Sequence, residues 1–276
     1  MVSSIRNYKS LKGYLKESET MSFVGVYDVF SAKLAIKEFK GIFLSGFSFS
    51  ASFLGMPDTG CFSSEDMIAF VKRLRTSIPD AYLLVDCEDG FGDEEKTVAV
   101  VKELEDCGVS AVILEDQKRP RKCGQLDNKL LSSCEAQVSK LKAVIKERRN
   151  MFIIARTDAA DPDEAHRRVV EYSKCGVDAI MMEGMKELSL IRKLRKRVNC
   201  HLVVNKIYGG KTPNWSEDEL YKNGVSIVIY STVCLFAAQY AIQRYLNKLK
   251  GTKLIPSRET VSLVECNRLF EDKKNK

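Results

Sequence analysis

Histidine is scarce in this chain, with only two residues among 276, and this scarcity argues against whole classes of chemistry. His166 lies in a helical run and His201 stands at the start of a predicted strand, so both are interpreted as structural. A zinc site of three His, or of two His and a Glu, is therefore not expected. A Ser–His–Asp triad is not expected either, because it needs a His beside the nucleophile.

Long apolar segments, export signals and linkers are also lacking. No run approaches the roughly 18 apolar residues of a membrane span, and Met1–Arg6 has no apolar signal-peptide region. Nine cysteines without an export signal predict free thiols in a reducing compartment, so a cytoplasmic location is expected. No Gly/Ser/Pro-rich linker divides the chain, which predicts one domain.

Positive charge is in modest excess, because 44 basic residues stand against 37 acidic ones. The excess lies in clusters at 118–122, 192–197 and 273–276. The last two are interpreted as a solvated helix face and a chain end, since nucleic-acid binders usually show one dominant basic face with a recognisable motif. Neither nucleic acid nor a membrane is expected as a partner.

Eight short apolar runs, separated by segments of helix length, are the main positive signal. Most of them lead to a polar residue able to do chemistry. The residues that follow the eight runs are Asp28, Ser45, Asp86, Glu115, Arg156, Glu183, Asn205 and Tyr230. Such a series predicts an α/β fold, a (β/α)8 TIM-type barrel whose active site lies where the strands end.

The predicted single domain, 1–276, contains the barrel at about 20–249 and a C-terminal helical extension at about 250–276. Helices are predicted at Val233–Leu249 and near Glu259–Glu271. Three similar αβ units also support the barrel, since in each an amphipathic helix stops at a Gly before a buried strand. Three such units would also suit a doubly wound sheet, but eight strands in about 210 residues favour closure.

The segment Asp86–Gly92 carries the densest site signal. It begins at a strand end and holds Asp86, Glu88 and Asp89, which repel each other unless a cation compensates. Oxygen-only ligands suit Mg²⁺ or Mn²⁺. Glu115–Asp116, at the end of the next strand, would add to the same pocket.

Three further residues are candidates for a role in binding or catalysis. Cys123 follows the first basic cluster, whose Lys and Arg side chains are expected to lower the pKa of its thiol and to attract an anionic substrate. Arg156 ends a buried strand and needs an anionic partner, which is Glu183, a bound carboxylate, or both. Asn205 ends the seventh strand and precedes a predicted turn at 209–213.

Together these motifs resemble the isocitrate lyase / phosphoenolpyruvate mutase superfamily over roughly Gly25 to Leu249. The stretches that carry the resemblance are Tyr27–Ala35, Ser45–Gly46 with Ser50–Ser52, Gly55–Asp58, Asp86–Gly92, Glu115–Gln117, Lys122–Gly124, Arg156–Ala159 and Gly209–Pro213. Their number and order make the resemblance specific at superfamily level.

The resemblance implies an α/β barrel, commonly a homotetramer whose subunits exchange a C-terminal helix, with a homodimer as the smaller assembly. It implies Mg²⁺ and a small anionic 2-oxo or 2-hydroxy acid or phosphonate that reacts through a pyruvate-like enolate. The implied metal site consists of Asp86, Glu88 and Glu115: Asp86 holds Mg²⁺, and Glu88 and Glu115, together with Asp58, act directly or through water. The implied catalytic residues are Cys123, Arg156 and Asp58. The implied substrate-binding residues are Tyr27, Ser45, Gly46, Lys122, Gly124, Glu183, Asn205 and Thr212.

Two departures from the family pattern bear on the reaction. Carbon–carbon lyases of this group carry Lys/Arg–Cys–Gly–His, in which the Cys protonates the enolate product, whereas this chain has Cys123 but Gln125 in place of the His. Members that act on phosphonopyruvate usually lack the Cys, although carboxyphosphonoenolpyruvate mutases keep it. Those lyases also have a Glu where this chain has Tyr208, and Lys206 with Tyr208 would then favour another anionic group, including a phosphonate.

Three functions follow from these motifs. The first is a Mg²⁺-dependent carbon–carbon lyase or hydrolase on a 2-hydroxy or 2-oxo dicarboxylate. The second is a P–C bond phosphonomutase or hydrolase. The third is a non-catalytic barrel that binds a metabolite or serves in an assembly, which the intact acidic set argues against.

Overall fold

The computed structural model describes residues 10–18, 20–256 and 260–271, so the predictions made for Met1–Arg6 and for 273–276 lie outside the described residues. Each strand pairs in parallel with the next, and the last strand pairs with the first. The strands are β1 (Met21–Val26), β2 (Gly41–Leu44), β3 (Tyr82–Asp86), β4 (Ala111–Glu115), β5 (Phe152–Thr157), β6 (Ala179–Met182), β7 (His201–Lys206) and β8 (Ile227–Tyr230). The predicted closed barrel is thereby confirmed.

Helices alternate with the strands, and most begin at a Ser or Asp whose side chain accepts a backbone N–H of the first turn. The helices are α1 (Leu11–Leu15), α2 (Val29–Ala35), α3 (Gly46–Phe49), α4 (Ser64–Ser77), α5 (Glu94–Asp106), α6 (Cys134–Glu147), α7 (Pro162–Ser173), α8 (Leu188–Arg195), α9 (Glu217–Lys222), α10 (Val233–Thr252) and α11 (Leu263–Arg268). A π-helical turn, Ser50–Leu54, follows α3. Leu11 and Leu15 of α1 share a buried cluster with strand-start residues, so α1 covers the amino-terminal end of the barrel.

The barrel interior is filled by every second residue of each strand, because successive side chains of a strand point to opposite faces. Phe43, Leu84, Ile113 and Ile154 belong to this interior cluster. Two residues further toward the carboxyl end of each strand, the interior positions are mostly polar. We call the following eight residues the polar layer: Gly25, Ser45, Asp86, Glu115, Arg156, Glu183, Asn205 and Ser231.

Two of the eight residues predicted from strand ends are corrected by this register. Asp28 begins α2 as its N-cap and accepts a 2.6 Å hydrogen bond from the backbone N–H of Ser31. Tyr230 points outward, and its hydroxyl donates to Glu217 at 2.8 Å. Ser231 takes the eighth position of the layer instead, and alternation from Ile229 was the sequence signal that would have identified it.

The C-terminal helices leave much apolar surface uncovered within one chain. Helix α10 confirms the helix predicted from Val233 and runs to Thr252, while α11 lies within the second predicted helix. Neither helix has a buried residue, and Ile242, Leu246 and Leu263 are more than half exposed. In the part of the chain that the structure describes, no helix is both long enough and apolar enough to cross a bilayer.

Gly25→Ala should destabilise the barrel by about 3 kcal/mol, because the new methyl group would be overpacked against backbone. Its Cβ would lie 1.9 Å from the carbonyl oxygen of Ser231, so β1 and β8 would have to separate. Urea unfolding followed by circular dichroism measures the loss. Gly251→Ala in α10 is the matched control, since its Cβ meets nothing within 4 Å and Ala favours helices. An unfolding midpoint equal to that of the wild type would contradict the contact at Gly25.

Candidate active site

A cavity opens at the carboxyl end of the barrel. Six members of the polar layer line it: Ser45, Asp86, Arg156, Glu183, Asn205 and Ser231. Asp58 from the loop after β2 and Cys123, Gly124 and Gln125 from the loop after β4 complete the polar wall. The loop after β4 is called the Cys123 loop and comprises residues 117–131. Phe43, Phe47, Ile113, Met181, Ile207 and Ile229 make the remaining wall apolar.

The turn after β3 forces Glu88 into an uncommon backbone conformation. Glu88 has a φ of +50°, which a non-glycine residue rarely adopts and which is frequent at functional sites. Its side chain is fully buried, and its Oε2 atom has no hydrogen-bond partner among the described residues. Burial raises the pKa of Glu88 well above its ordinary value; the Arg121 guanidinium opposes this rise, and Asp86 adds to it.

Arg121 compensates these carboxylates, and the sequence analysis did not single it out. Its side chain is 1% exposed and donates to Glu88 Oε1 at 3.0 Å, to both carboxylate oxygens of Glu115 at 2.7 and 3.2 Å, and to Asp58. With Arg121 between them, no three His, Cys, Asp or Glu side chains of the described residues converge closely enough to hold a metal ion. Its place in the basic cluster 118–122, six residues after Glu115, was the one sequence signal for Arg121; its pairing with Asp58 and Glu88, 63 and 33 positions away, left none.

Arg156 makes its ion pairs mainly with carboxylates of its own and the preceding strand. Its guanidinium lies 2.9 Å from Asp158 and 3.2 Å from Glu115, with Glu183 and Asp86 at 3.8 and 3.9 Å. The predicted partner Glu183 is therefore present but is not the nearest. Burial raises the pKa of Glu183 to about 7, and the positive charge of Arg156 opposes that rise.

Asp116 supports this arrangement from behind the cavity wall, instead of adding to the pocket as the sequence suggested. It is fully buried and accepts hydrogen bonds from Thr157 Oγ1 at 2.6 Å, the backbone N–H of Asp158 at 2.9 Å, and Tyr172 at 2.8 Å. Arg168 also donates to it at 3.1 Å. Asp116 therefore fixes the segment that carries the ion-pair partner of Arg156.

The Cys123 loop is held over the cavity by side-chain amides and a close backbone approach. Gln117 accepts from the backbone N–H of Lys122 at 2.9 Å and donates to its carbonyl at 2.8 Å. At Gly124 an added Cβ would lie 2.0 Å from Arg156, so only Gly allows the backbone to come this close. Gln125 donates to Glu183 and accepts from the backbone N–H of Lys211 at 2.7 Å.

The expectation of a lowered thiol pKa at Cys123 is wrong. Burial raises the pKa of Cys123 to about 11, and the Asp58 carboxylate adds to the rise. The neighbouring cations do not reverse this, because Arg121 is paired with carboxylates and the Lys122 ammonium donates to the carbonyl of Asn128 at 3.1 Å. The thiol is therefore protonated at neutral pH.

Several predicted residues lie away from the cavity wall. Tyr27, Lys122 and Thr212 are not among the residues that line it, whereas the backbone of Gly46 borders the Asp86 and Glu88 carboxylates. The idea that Lys206 and Tyr208 face the substrate is also corrected. Strand alternation turns Lys206 away from the barrel interior, and its ammonium donates to the carbonyl of Trp215. The side chain of Tyr208 is 94% exposed to solvent. Ile207 takes the wall position instead.

The raised pKa predicts how Cys123 responds to pH. Because only the thiolate reacts with iodoacetamide, alkylation of Cys123 should be slow at pH 7 and should still accelerate toward about pH 11. Peptide mass spectrometry measures the rate at this single cysteine. Asp58→Asn removes a carboxylate that raises the pKa, so it should increase the rate at pH 8. A rate that levels off below pH 8 in the wild type would contradict the burial of the thiol.

Several known proteins are similar to this chain. A family model described as phosphoenolpyruvate phosphomutase matches residues 11–250. The 2-methylisocitrate lyase of Aeropyrum pernix is 32% identical over 249 residues, which cover 88% of this chain and 80% of that protein.

Solved structures share the fold. An oxaloacetate acetylhydrolase in complex with the inhibitor 3,3-difluorooxalacetate has a TM-score of 0.89 at 24% identity, and the match covers 94% of this chain and 91% of that one. A phosphonopyruvate hydrolase in complex with oxalate and Mg²⁺ has a TM-score of 0.80 at 25% identity, with 91% and 90% covered. With its barrel, its polar layer and a family model that spans most of its length, this chain belongs to the phosphoenolpyruvate phosphomutase family, within the isocitrate lyase / phosphoenolpyruvate mutase superfamily.

Proposed function

We propose that this protein is a Mg²⁺-dependent carbon–carbon lyase or hydrolase that acts on a 2-hydroxy or 2-oxo dicarboxylate through a pyruvate-like enolate. The observation that carries the proposal is the Cys123 thiol, which lines the cavity and is surrounded by Asp58, Arg156 and Glu183. Because its pKa is about 11, the thiol keeps its proton at neutral pH. A lyase needs such a donor to protonate the carbon that is left when the bond breaks.

A divalent cation is proposed at Asp86, Glu88 and Glu115, with Asp58 beside them. These donors are all oxygens, which suit Mg²⁺ or Mn²⁺. The Oε2 of Glu88 accepts no hydrogen bond among the described residues, with the Arg119 guanidinium 3.6 Å away, so it is a buried polar atom that a cation would satisfy. A Cβ at Gly46 would lie 3.2 Å from Glu88 and 3.3 Å from Asp86, so the glycine keeps space beside both carboxylates. When bound, the cation would act as a Lewis acid toward a carbonyl or enolate oxygen.

The residues of the chain itself supply binding and proton transfer in this proposal. Arg156 holds the substrate carboxylate, and Asn205 orients the other end of the substrate. Asn205 is itself oriented, because it accepts from the Ser231 hydroxyl at 2.8 Å and donates to Glu183 at 3.2 Å. Cys123 gives its proton to the carbanion carbon. Gln125 carries no titratable proton, so it holds the loop in place of a His without exchanging protons with Cys123.

The alternative function is that of a P–C bond mutase or hydrolase. The similarity to a phosphonopyruvate hydrolase supports this alternative. One feature of the cavity weighs against it. Among the described residues that line the cavity, Arg156 is the single cation, and Lys206 points outward. A phosphonate group carries more negative charge than a carboxylate group. The positive charge of Arg156 would therefore neutralise a phosphonate substrate less completely than a dicarboxylate.

The proposed partners are a small anionic substrate and further copies of the same chain, as a homotetramer or homodimer. The exposed apolar residues of α10 and α11 support self-association, because apolar patches of this kind mark interaction sites. All nine cysteines are free thiols, which supports the proposal of a reducing, cytoplasmic compartment.

An NMR assay of the purified protein with Mg²⁺ tests the reaction class. One substrate pool holds oxaloacetate, 2-methylisocitrate, isocitrate and dimethylmalate, and the other holds phosphonopyruvate and phosphoenolpyruvate. We expect pyruvate, glyoxylate or oxalate from the first pool, and we expect EDTA to abolish the reaction. Phosphorus signals that move between phosphonate and phosphate ester would instead establish a mutase, and free phosphate a hydrolase.

Cys123→Ser separates the two reaction classes. It should lower kcat for carbon–carbon cleavage by about 10²- to 10⁴-fold, because a proton donor is lost. A phosphonomutase needs no proton donor and should be largely spared. Cys61→Ser is the matched control, since Cys61 is a partly exposed loop thiol that does not line the cavity. If Cys123→Ser cleaved the carbon–carbon bond as fast as Cys61→Ser, Cys123 would have no role in the mechanism.

Self-association is tested by light scattering during size-exclusion chromatography. We expect a mass of at least two chains of 31.1 kDa. Leu246→Glu, on an exposed apolar position of α10, should lower that mass, because a charge cannot be buried without a partner. Asn247→Glu adds the same charge at the next position and should leave the mass unchanged. A monomeric wild-type protein would contradict the proposed assembly.

A further inference from the structure

The turn after β3 has an unusual backbone conformation, and we call its residues 86–92 the acidic turn. Positive φ angles occur at Glu88 (+50°), Gly90 (+89°) and Phe91 (+64°). Two of these three residues are not glycine, and a side chain costs energy in this region of backbone space. Contacts from outside the turn must therefore hold it in place.

Strand β4 holds the first half of the acidic turn. The backbone N–H of Cys87 donates to the carbonyl of Ile113 at 2.9 Å, and the backbone N–H of Glu115 donates to the carbonyl of Glu88 at 2.8 Å. Pairing with β4 therefore continues for two residues beyond the end of β3. These bonds fix the backbone of Glu88 on the side of the barrel.

Lys140 of α6 holds the second half of the turn from outside the barrel. Its ammonium group donates to the carbonyl of Asp89 at 2.6 Å and to the carbonyl of Gly92 at 3.0 Å. An ammonium group has three donors, so one side chain can join two carbonyls that lie three residues apart. Both of these hydrogen bonds go to the backbone and neither goes to a carboxylate.

Other side chains reach the outer half of the turn in a different way. The Thr97 hydroxyl donates to the carbonyl of Asp93 at 2.7 Å, within its own helix, and lies 3.2 Å from the carbonyl of Gly90. The Arg119 guanidinium pairs with the carboxylate of Asp89 at 2.8 Å. Lys140 differs from both because it joins two backbone carbonyls of the turn.

We propose that Lys140 is a positioning residue for the divalent-cation site. By joining the carbonyls of Asp89 and Gly92, its ammonium fixes the acidic turn and, through the turn, the carboxylate of Glu88. Lys140 does not line the cavity, so it acts through the backbone and not on the substrate. Side chains that orient metal ligands typically contribute roughly 10- to 100-fold to metal affinity. The inference rests on the cation site of the proposed function.

The test measures cation affinity and the mobility of the turn separately, in the absence of substrate. Calorimetric titration with MgCl₂ or MnCl₂ gives the Kd. Hydrogen exchange of the amides of residues 88–92, measured without added cation, gives the mobility. Lys140→Met should weaken cation binding by about tenfold or more and should speed the exchange, because the ties to the turn are lost. Loss of a positive charge alone would instead tighten cation binding, so the direction of the change identifies the role.

Lys142→Met is the matched control, because it removes the same charge from the same helix. Lys142 is exposed, and two residues along a helix place it on the side opposite Lys140. Its loss should leave both the Kd and the exchange rate of the turn unchanged. Lys140→Arg should restore most of the cation affinity, because a guanidinium can also donate to two carbonyls.

The outcomes that overturn the inference are distinguishable from a failure of the proposed function. If Lys140→Met binds the cation as tightly as the wild type or more tightly, or if its turn amides exchange at the wild-type rate, Lys140 does not position the site and the proposed function stands. If the wild type binds neither Mg²⁺ nor Mn²⁺, the proposed cation site fails and the inference fails with it. Should Lys140→Met not fold, Lys140→Gln decides in its place: its shorter amide loses at least one carbonyl, and a wild-type Kd for this variant overturns the inference.

Discussion

Negative charge confined at one end of the barrel is the constraint on which the rest of this structure depends. Asp58, Asp86, Glu88 and Glu115 are almost completely removed from water, where charged carboxylates are stable only if cations neutralise them. Two buried arginines, one on a strand and one on a loop, provide part of that compensation. Burial, with the neighbouring Asp86 carboxylate, raises the pKa of Glu88, and the negative charge that remains is what the proposed divalent cation would neutralise.

The barrel makes this concentration of charge possible by its register. Each of the eight parallel strands presents one interior position near the carboxyl end of the barrel, so the polar layer gathers side chains that are far apart in sequence. Below the layer the interior is apolar and packed, which gives the charged groups a rigid floor. Behind it, Asp116 with Arg168 and Tyr172 fixes the end of β5, so the geometry of Arg156 is set from both sides.

The Cys123 loop places a reactive thiol next to the charges of the polar layer. It brings Cys123 into the cavity wall, and the contacts that close it are largely ion pairs and amide hydrogen bonds, not apolar packing. Such contacts respond to the charge beneath them, whereas apolar contacts would not. Gln125 donates a hydrogen bond to Glu183 and so links the loop to the barrel, but unlike a His it has no titratable proton. Burial and the Asp58 carboxylate therefore govern the protonation of Cys123.

The sequence by itself determined the barrel and six of the eight residues in its polar layer, because strand periodicity and the order of parallel strands are local properties that place strand ends together. Tertiary structure alone decided which way Tyr230, Lys206 and Asp116 face, since a shift of one residue reverses a side chain. It also decided the pairing of Arg121 with Asp58, 63 positions away, and the raised pKa of Cys123. Charge pairing and burial depend on distances in space, and these exist only once the chain has closed into a barrel.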